Sequence, residues 1–191
     1  MGIYISEILS RSNRNKIGLN MIYETERLYT REMNENDLSA LSSIMQDPEV
    51  MYAYEHAFTD EETSGWFNQQ LERYKNHGYG LWAVILKETS EMIGQCGLSI
   101  QQFRGSKVQE IGYLFRKAFW HQGYAIEAAR GCKAYAFDTL ELSEVYSIVR
   151  DTNITSMNVA IRNGMTIRGR FIKHYYGVYM PHYAFSVKNK R

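Results

Sequence analysis

The ten residues Phe119-Trp-His-Gln-Gly-Tyr-Ala-Ile-Glu-Ala128, FWHQGYAIEA, decide how this chain is read. Ahead of them Glu110–Phe115, EIGYLF, alternates as a strand does. Behind them the chain becomes Ala-rich, ARGCKAYAFDTL, with the character of a helix. Gly123 and Ala125 stand where the strand gives way to the helix. Small residues there let an anion approach the main chain. A helix start adds up to four free N–H groups and a partial positive charge. The stretch therefore reads as a backbone anion site, with a plain structural turn as the competing reading. Two phosphate-binding patterns fall away. The sequence has no GxxxxGK[ST] string. The turn has one Gly, where a GxGxxG fingerprint needs three, and no acidic ribose ligand in the expected place.

Working outward, ERLYTREM (26–33) alternates as a first strand. Asn34 caps a helix whose apolar face is Leu38, Leu41, Ile44 and Met45, stopped by Asp47-Pro48, with a short helical piece expected near Glu49–Tyr52. Thr59 and Glu62 form a capping box. The helix they open carries Trp66, Phe67, Gln70, Leu71 and Tyr74 and ends near His77-Gly78. Its leading acids complement the helix dipole, with substrate binding as the alternative. Residues 79–103 read as two strands joined at 88–91, and VQEIGYLF as the next. After the quoted turn a helix is expected over Tyr124–Leu140, facing inward through Ile126, Ala129, Cys132, Ala136 and Leu140. EVYSIVR (144–150) is a strand, TSMNVAIRNGM a short helix stopped at Asn163-Gly164, and two strands close the chain. The pattern predicts an α+β fold: a mixed, mostly antiparallel central sheet flanked by helices.

One domain over 22–191 follows a loose extension, 1–21, whose start formally fits a myristoylation pattern. With 22 basic against 21 acidic residues, charge gives no reason to expect nucleic acid or a charged membrane as partner. Cys96 and Cys132 belong to no CxxC or Cys/His cluster, so neither a disulfide scaffold nor a metal site is expected. Reduced thiols in a cytoplasmic protein are the simplest expectation. No apolar run approaches the roughly 18–20 residues that span a bilayer.

Motifs spread over about 23–187 resemble the GNAT superfamily of acetyl-CoA-dependent N-acetyltransferases, and within it the RimJ/RimL-type branch acting on ribosomal-protein N-termini. They are ETERLYTREM with Asp37, Asp47-Pro48-Glu49-Val50-Met51, Ile93-Gly94-x-Cys96-Gly97, Glu110-Ile111-Gly112-Tyr113, Trp-x-x-Gly-Tyr-Ala-x-Glu-Ala, and Asn153-x-x-Ser156 ahead of a helix ending in Gly164-Met165. Trp120 occupies the superfamily's Gln/Arg position, as is usual in this branch; His121 stands where the branch mostly has Gly, and Met165 where it has Phe.

The resemblance implies a GNAT fold, acetyl-CoA as cosubstrate, no metal, and acyl transfer to a primary amine. The acceptor it implies first is a protein N-terminal amine; a small amine such as a polyamine, amino acid or antibiotic comes second. A GNAT-fold sensor that binds acyl-CoA without turnover is the alternative of another class. Such a reaction needs a base for the amine, a donor for the oxyanion, and a proton for a thiolate whose pKa is about 8.5. Glu110 is the candidate base, directly or through water, against the reading of an ordinary surface or salt-bridged carboxylate. Ser156 is the candidate acid, because Val159 and Ala160 fill the region where many relatives place a Tyr; the competing reading is a first-turn residue. Leu114 and Phe115 are expected to bind the pantetheine arm and thioester through main chain, and Asn153 to bond the arm. Gln122, Gly123, Tyr124 and Ala125 are expected to bind the pyrophosphate through their amides. Glu127 should point away, into an ion pair. His121, His174 and His182 are candidates for a substrate path, with packing as the alternative. A monomer or a homodimer fits the sequence.

Overall fold

The computed structural model describes residues 21–175 and 177–190. The expected N-terminal extension therefore lies outside the described residues, except that Met21 belongs to the sheet. It opens β1 (Met21–Glu24) and pairs with Arg31 of β2 (Leu28–Arg31). The single strand expected over 26–33 is thus a hairpin. The break falls at Thr25–Arg27, where Thr25 Oγ1 and the Arg27 N–H are both drawn to the Glu127 carboxylate at 2.6 and 2.8 Å.

Asn34 caps a 3-10 turn, Glu35–Asp37, that runs into α1 (Leu38–Met45). Asp37 completes a capping box and forms a two-pronged bond with Arg31 at 2.6 and 2.7 Å. Residues 49–52 form turns, where a helical piece was expected; Asp47 Oδ1 takes the Glu49 N–H and holds the chain in a local turn. α2 (Asp60–His77) begins at the Thr59–Glu62 capping box and ends at left-handed Gly78. Then come β3 (Leu81–Leu86), β4 (Glu91–Phe103), β5 (Ser106–Phe115), α3 (Tyr124–Asp138), β6 (Glu144–Arg150), α4 (Ile154–Arg162), β7 (Thr166–Tyr175) and β8 (Val178–Lys188).

The eight strands form one sheet in the order β1-β2-β3-β4-β5-β6-β8-β7. Neighbours are antiparallel except β5 and β6, which α3 connects as a crossover. Both faces are covered, which is why β3 is buried along its whole length. Its Trp82, Val84 and Leu86 pack with Ile126, Ala129, Cys132 and Ala136 of α3, and with Val159 and Ala160 of α4. Its Ala83 and Ile85 pack on the opposite face with Leu41, Ile44 and Met45 of α1 and Phe67 of α2. The inward stripe expected for α3 is observed through Ile126, Ala129, Cys132 and Ala136, but the helix ends at Asp138 and Leu140, expected to extend the stripe, lies beyond it half-buried. β4 runs close to its neighbours: a Cβ on Gly97 would lie 2.0 Å from the Gly80 carbonyl oxygen, so only Gly fits. Cys96 and Cys132 are free, buried thiols between β4 and α3, and burial pushes the Cys132 thiol up.

Candidate active site

The sheet parts at its one parallel step. β5 and β6 are in register only at Glu110 and Tyr146. Beyond that point side chains substitute for the missing ladder. Ser147 Oγ donates to the Ile111 carbonyl at 2.9 Å, and the Ile148 N–H donates to Glu110 Oε1 at 3.0 Å. Past these two bonds the strands diverge, and a cleft of about 570 Å³ opens between β5, β6, α2, the 50–58 loop and the start of α4.

Backbone direction at the opening follows from strand alternation. The Ile111 carbonyl faces β6, whereas the Arg116 N–H bonds Ile93 of β4 at 3.0 Å. Odd residues of β5 therefore turn their main chain toward the gap and even residues toward β4. Of the pair expected to act through main chain, Phe115 faces the gap. Leu114 is corrected: its N–H and carbonyl face β4, and its side chain lines the cleft. The remaining gap-facing N–H is that of Tyr113, which the sequence reading did not single out. The Phe115 carbonyl is held by Trp120 Nε1 at 2.9 Å, which accounts for an aromatic donor at 120.

Glu110 stands where the strands part. Its Oε2 accepts from Ser99 Oγ at 3.0 Å, and Gln101 Nε2 in turn bonds Ser99 Oγ at 3.2 Å. Burial pushes the Glu110 carboxyl above the usual carboxylate range, while the Lys173 charge and these hydrogen bonds pull against it. No ion pair within 4 Å engages it among the described residues. The arrangement is not that of an ordinary salt-bridged carboxylate.

α4 starts beside the cleft. Asn153 is its N-cap: Oδ1 accepts the Ser156 N–H at 3.0 Å and the Tyr52 hydroxyl at 2.7 Å. The Tyr113 hydroxyl donates to the Ser156 carbonyl at 2.8 Å and ties α4 to β5. The Ser156 hydroxyl has no protein partner among the described residues, and both Ser156 and Asn153 line the cleft.

α3 starts differently. Its N-cap, Gly123, has φ +82 and no side chain to cap with, and His121 before it has φ +60. The N–H groups of Gln122, Gly123, Tyr124, Ala125 and Ile126 have no acceptor among the described residues. A side chain at Gly123 would be strained by that φ and would meet the Arg27 guanidinium at 3.4 Å. Glu127 points away from this turn into Arg27, whose Nε lies 2.7 Å from Oε2. Those bonds outweigh its partial burial and hold its carboxyl below the usual range. Arg27 also lies 4.3 Å over the Tyr124 ring and donates to the Gln122 carbonyl at 3.0 Å, which braces the turn from outside. A run of unpartnered amides at a helix start is the complement of a pyrophosphate, so the residues present fit CoA. Among the described residues no group of three or more His, Cys, Asp or Glu gathers as a metal site would.

The structure brings Glu110, Leu114, Asn153 and Ser156 to one cleft. It also brings His182 and Arg73 there, on β8 and α2. His182 Nδ1 must be the donor in its 2.8 Å bond to the Met180 carbonyl, and burial holds the imidazole below its usual range. His121 is exposed at the turn, and His174 stacks on Tyr179 at 4.6 Å. Among the described residues no helix is long and apolar enough to cross a membrane.

Comparison with known proteins agrees with this geometry. The family model described as the acetyltransferase (GNAT) domain matches residues 27–166. YkkB of Bacillus subtilis (strain 168) is 35% identical over 142 residues, 74% of this chain and 83% of that protein. The N-acetyltransferase YnaD of the same organism is 30% identical over 150 residues, 78% of this chain and 85% of its own length. Among solved structures, RimL, the ribosomal L7/L12 alpha-N-protein acetyltransferase in complex with coenzyme A, superposes with TM-score 0.71. The match is 18% identical and covers 88% of this chain and 98% of that one, a likeness of fold. The parted strands, the uncapped helix start and the matched family describe one thing: the chain belongs to the GNAT acetyltransferases.

Proposed function

We propose that the cleft transfers the acetyl group of acetyl-CoA to a primary amine by direct attack, without an acetylated protein intermediate. The observation that carries this reading is the parting of β5 from β6 at Glu110, with the unpartnered amides of α3 at one end and the Ser156 hydroxyl in the cleft. The amides of residues 122–125 would hold the pyrophosphate. The pantetheine arm would lie in the gap, bonded to the main chain of Tyr113 and Phe115 and to the Asn153 side-chain amide. Either gap-facing N–H is suited to the thioester oxygen, where negative charge develops.

In the step itself the amine nitrogen bonds to the carbonyl carbon and the carbon–sulfur bond breaks. The amine proton passes to Glu110, directly or through water. The departing thiolate takes the Ser156 hydroxyl proton, which solvent then replaces. Burial of Glu110 suits this role, because a base works best when its pKa lies near the working pH. The acceptor implied by the RimJ/RimL resemblance is a protein N-terminal amine, and small amines are the competing class. The test is CoA release from acetyl-CoA over peptides of varied N-terminus and a panel of small amines. Turnover on any of them supports the reading. Tight acetyl-CoA binding with background CoA release throughout would favour a sensor instead.

A further inference from the structure

Arg73 is a cation with little to hold. It lies on α2, half-buried, and lines the cleft. No carboxylate lies within 4 Å of it among the described residues. Its one side-chain bond runs from Nη1 to Gln70 Oε1 at 3.4 Å, and that oxygen already accepts the Leu81 N–H at 3.0 Å. The Trp66 ring flanks it at 5.9 Å. A guanidinium presents five N–H groups in a planar fork suited to a carboxylate, and most of this fork has no acceptor among the described residues. Of the cleft's acids, Glu62 is engaged by His56 and the helix cap and Glu110 by Ser99 and Ile148, while Glu55, whose buried Oε1 has no partner among the described residues, does not come within 4 Å of Arg73. Burial lowers the guanidinium's pKa, and Glu110 is near enough for its charge to oppose that. A cation drawn out of water without a partner is costly unless an anion arrives to join it.

We infer that Arg73 receives a carboxylate of the acceptor, and that the acceptor class is small amino carboxylates. The inference rests on the transferase reading of the cleft: the amine lies by Glu110 while the carboxylate takes the fork of Arg73. The chain termini of peptides separate these two groups, since an N-terminal residue carries an amide where a free amino acid carries a carboxylate. The cleft volume, about 570 Å³, suits a small acceptor beside a pantetheine arm.

The test compares free α- and ω-amino acids with the same compounds as carboxamides, at saturating acetyl-CoA. It is run on the wild-type protein, Arg73→Gln and Arg73→Lys. We expect the best carboxylate to exceed its carboxamide by about tenfold or more in kcat/KM. In Arg73→Gln that ratio should fall to about one through KM for the carboxylate, and Arg73→Lys should recover part of it. Equal kcat/KM for carboxylate and carboxamide in the wild type would overturn the inference. So would an equal loss on both in Arg73→Gln with the acidic limb of the pH profile displaced, which would make Arg73 a counter-charge to Glu110. Calorimetric binding of the amino acids to the CoA-loaded protein separates the two levels of the account. Arg73-dependent binding without CoA release would sink the transferase reading and keep the anion site; no binding and no turnover would sink both.

Discussion

The starts of α2 and α3 solve the same problem in opposite ways. Every helix begins with N–H groups that lack a partner within the helix. At α2, Thr59 accepts the Glu62 N–H at 3.2 Å and Glu62 returns the favour to the Thr59 N–H at 2.9 Å. At α3 the cap position is Gly123 in a left-handed conformation, with no side chain to offer, and five successive amides have no acceptor among the described residues. The first arrangement is closed and stabilises the fold. The second leaves donors without acceptors among the described residues, the arrangement an anion site needs. The contrast is the reason the proposal puts the pyrophosphate at this turn. α4 is intermediate: Asn153 caps it, yet the Ser156 hydroxyl beside the cap has no protein partner among the described residues.

The sharpest way to break this contrast is to give α3 a carboxylate of its own. Asp tolerates a left-handed backbone better than most residues, so Gly123→Asp should fold. It should weaken acetyl-CoA by about a hundredfold, since like charges set together cost several kcal/mol. Titration calorimetry reads this, and unchanged affinity would remove the turn from the pyrophosphate site. Next in size, Ser156→Ala should lower kcat about tenfold with acetyl-CoA affinity altered less than twofold, a split typical of a group that acts in the transition state. Equal kcat in that variant would leave Ser156 as a first-turn residue alone. Smallest, Thr59→Ala should cost about 1 kcal/mol of folding stability and leave acetyl-CoA affinity where it was. Denaturant unfolding and calorimetry together check that one. A matching loss of affinity would mean that the capped and open helix starts are not separable.

Most of the fold was legible because local chemistry and packing agree. The Thr59–Glu62 capping box, the turns at Gly78 and Gly164, and the alternation of EVYSIVR fix their elements without tertiary help. β1 was not legible, because four residues carry no usable period and form a strand only by pairing with β2. At the site, alternation of β5 correctly separated Glu110 from Ile111, but it describes side chains. Which residues turn their amides to the gap depends on where β6 departs, and that fact belongs to the fold; hence Phe115 and Tyr113 rather than Leu114. Arg73 was not legible as a site residue, since it reaches the cleft from a helix far from the motifs in sequence, whereas His182, a candidate for the substrate path, does line the cleft. A half-buried Arg on a helix looks like any surface cation until its lack of a partner is visible. Glu127 shows the reverse: like-charge repulsion beside a phosphate was enough to predict that it turns away, and it does.

The central claim is that chemistry occurs where β5 and β6 part, with Glu110 taking the amine's proton. The pH dependence of kcat/KM at saturating acetyl-CoA, for the wild-type protein and Glu110→Gln, tests it most directly. A base works only when ionised, and burial holds this carboxyl above its ordinary range. The wild-type rate should therefore rise with pH through an acidic limb lying above the usual carboxylate pKa of about 4.3. Glu110→Gln should lose that limb together with about a hundredfold of the rate near neutrality. A variant that kept both the limb and the rate would contradict the account and move the base elsewhere, with His182 in the same cleft the first group to examine.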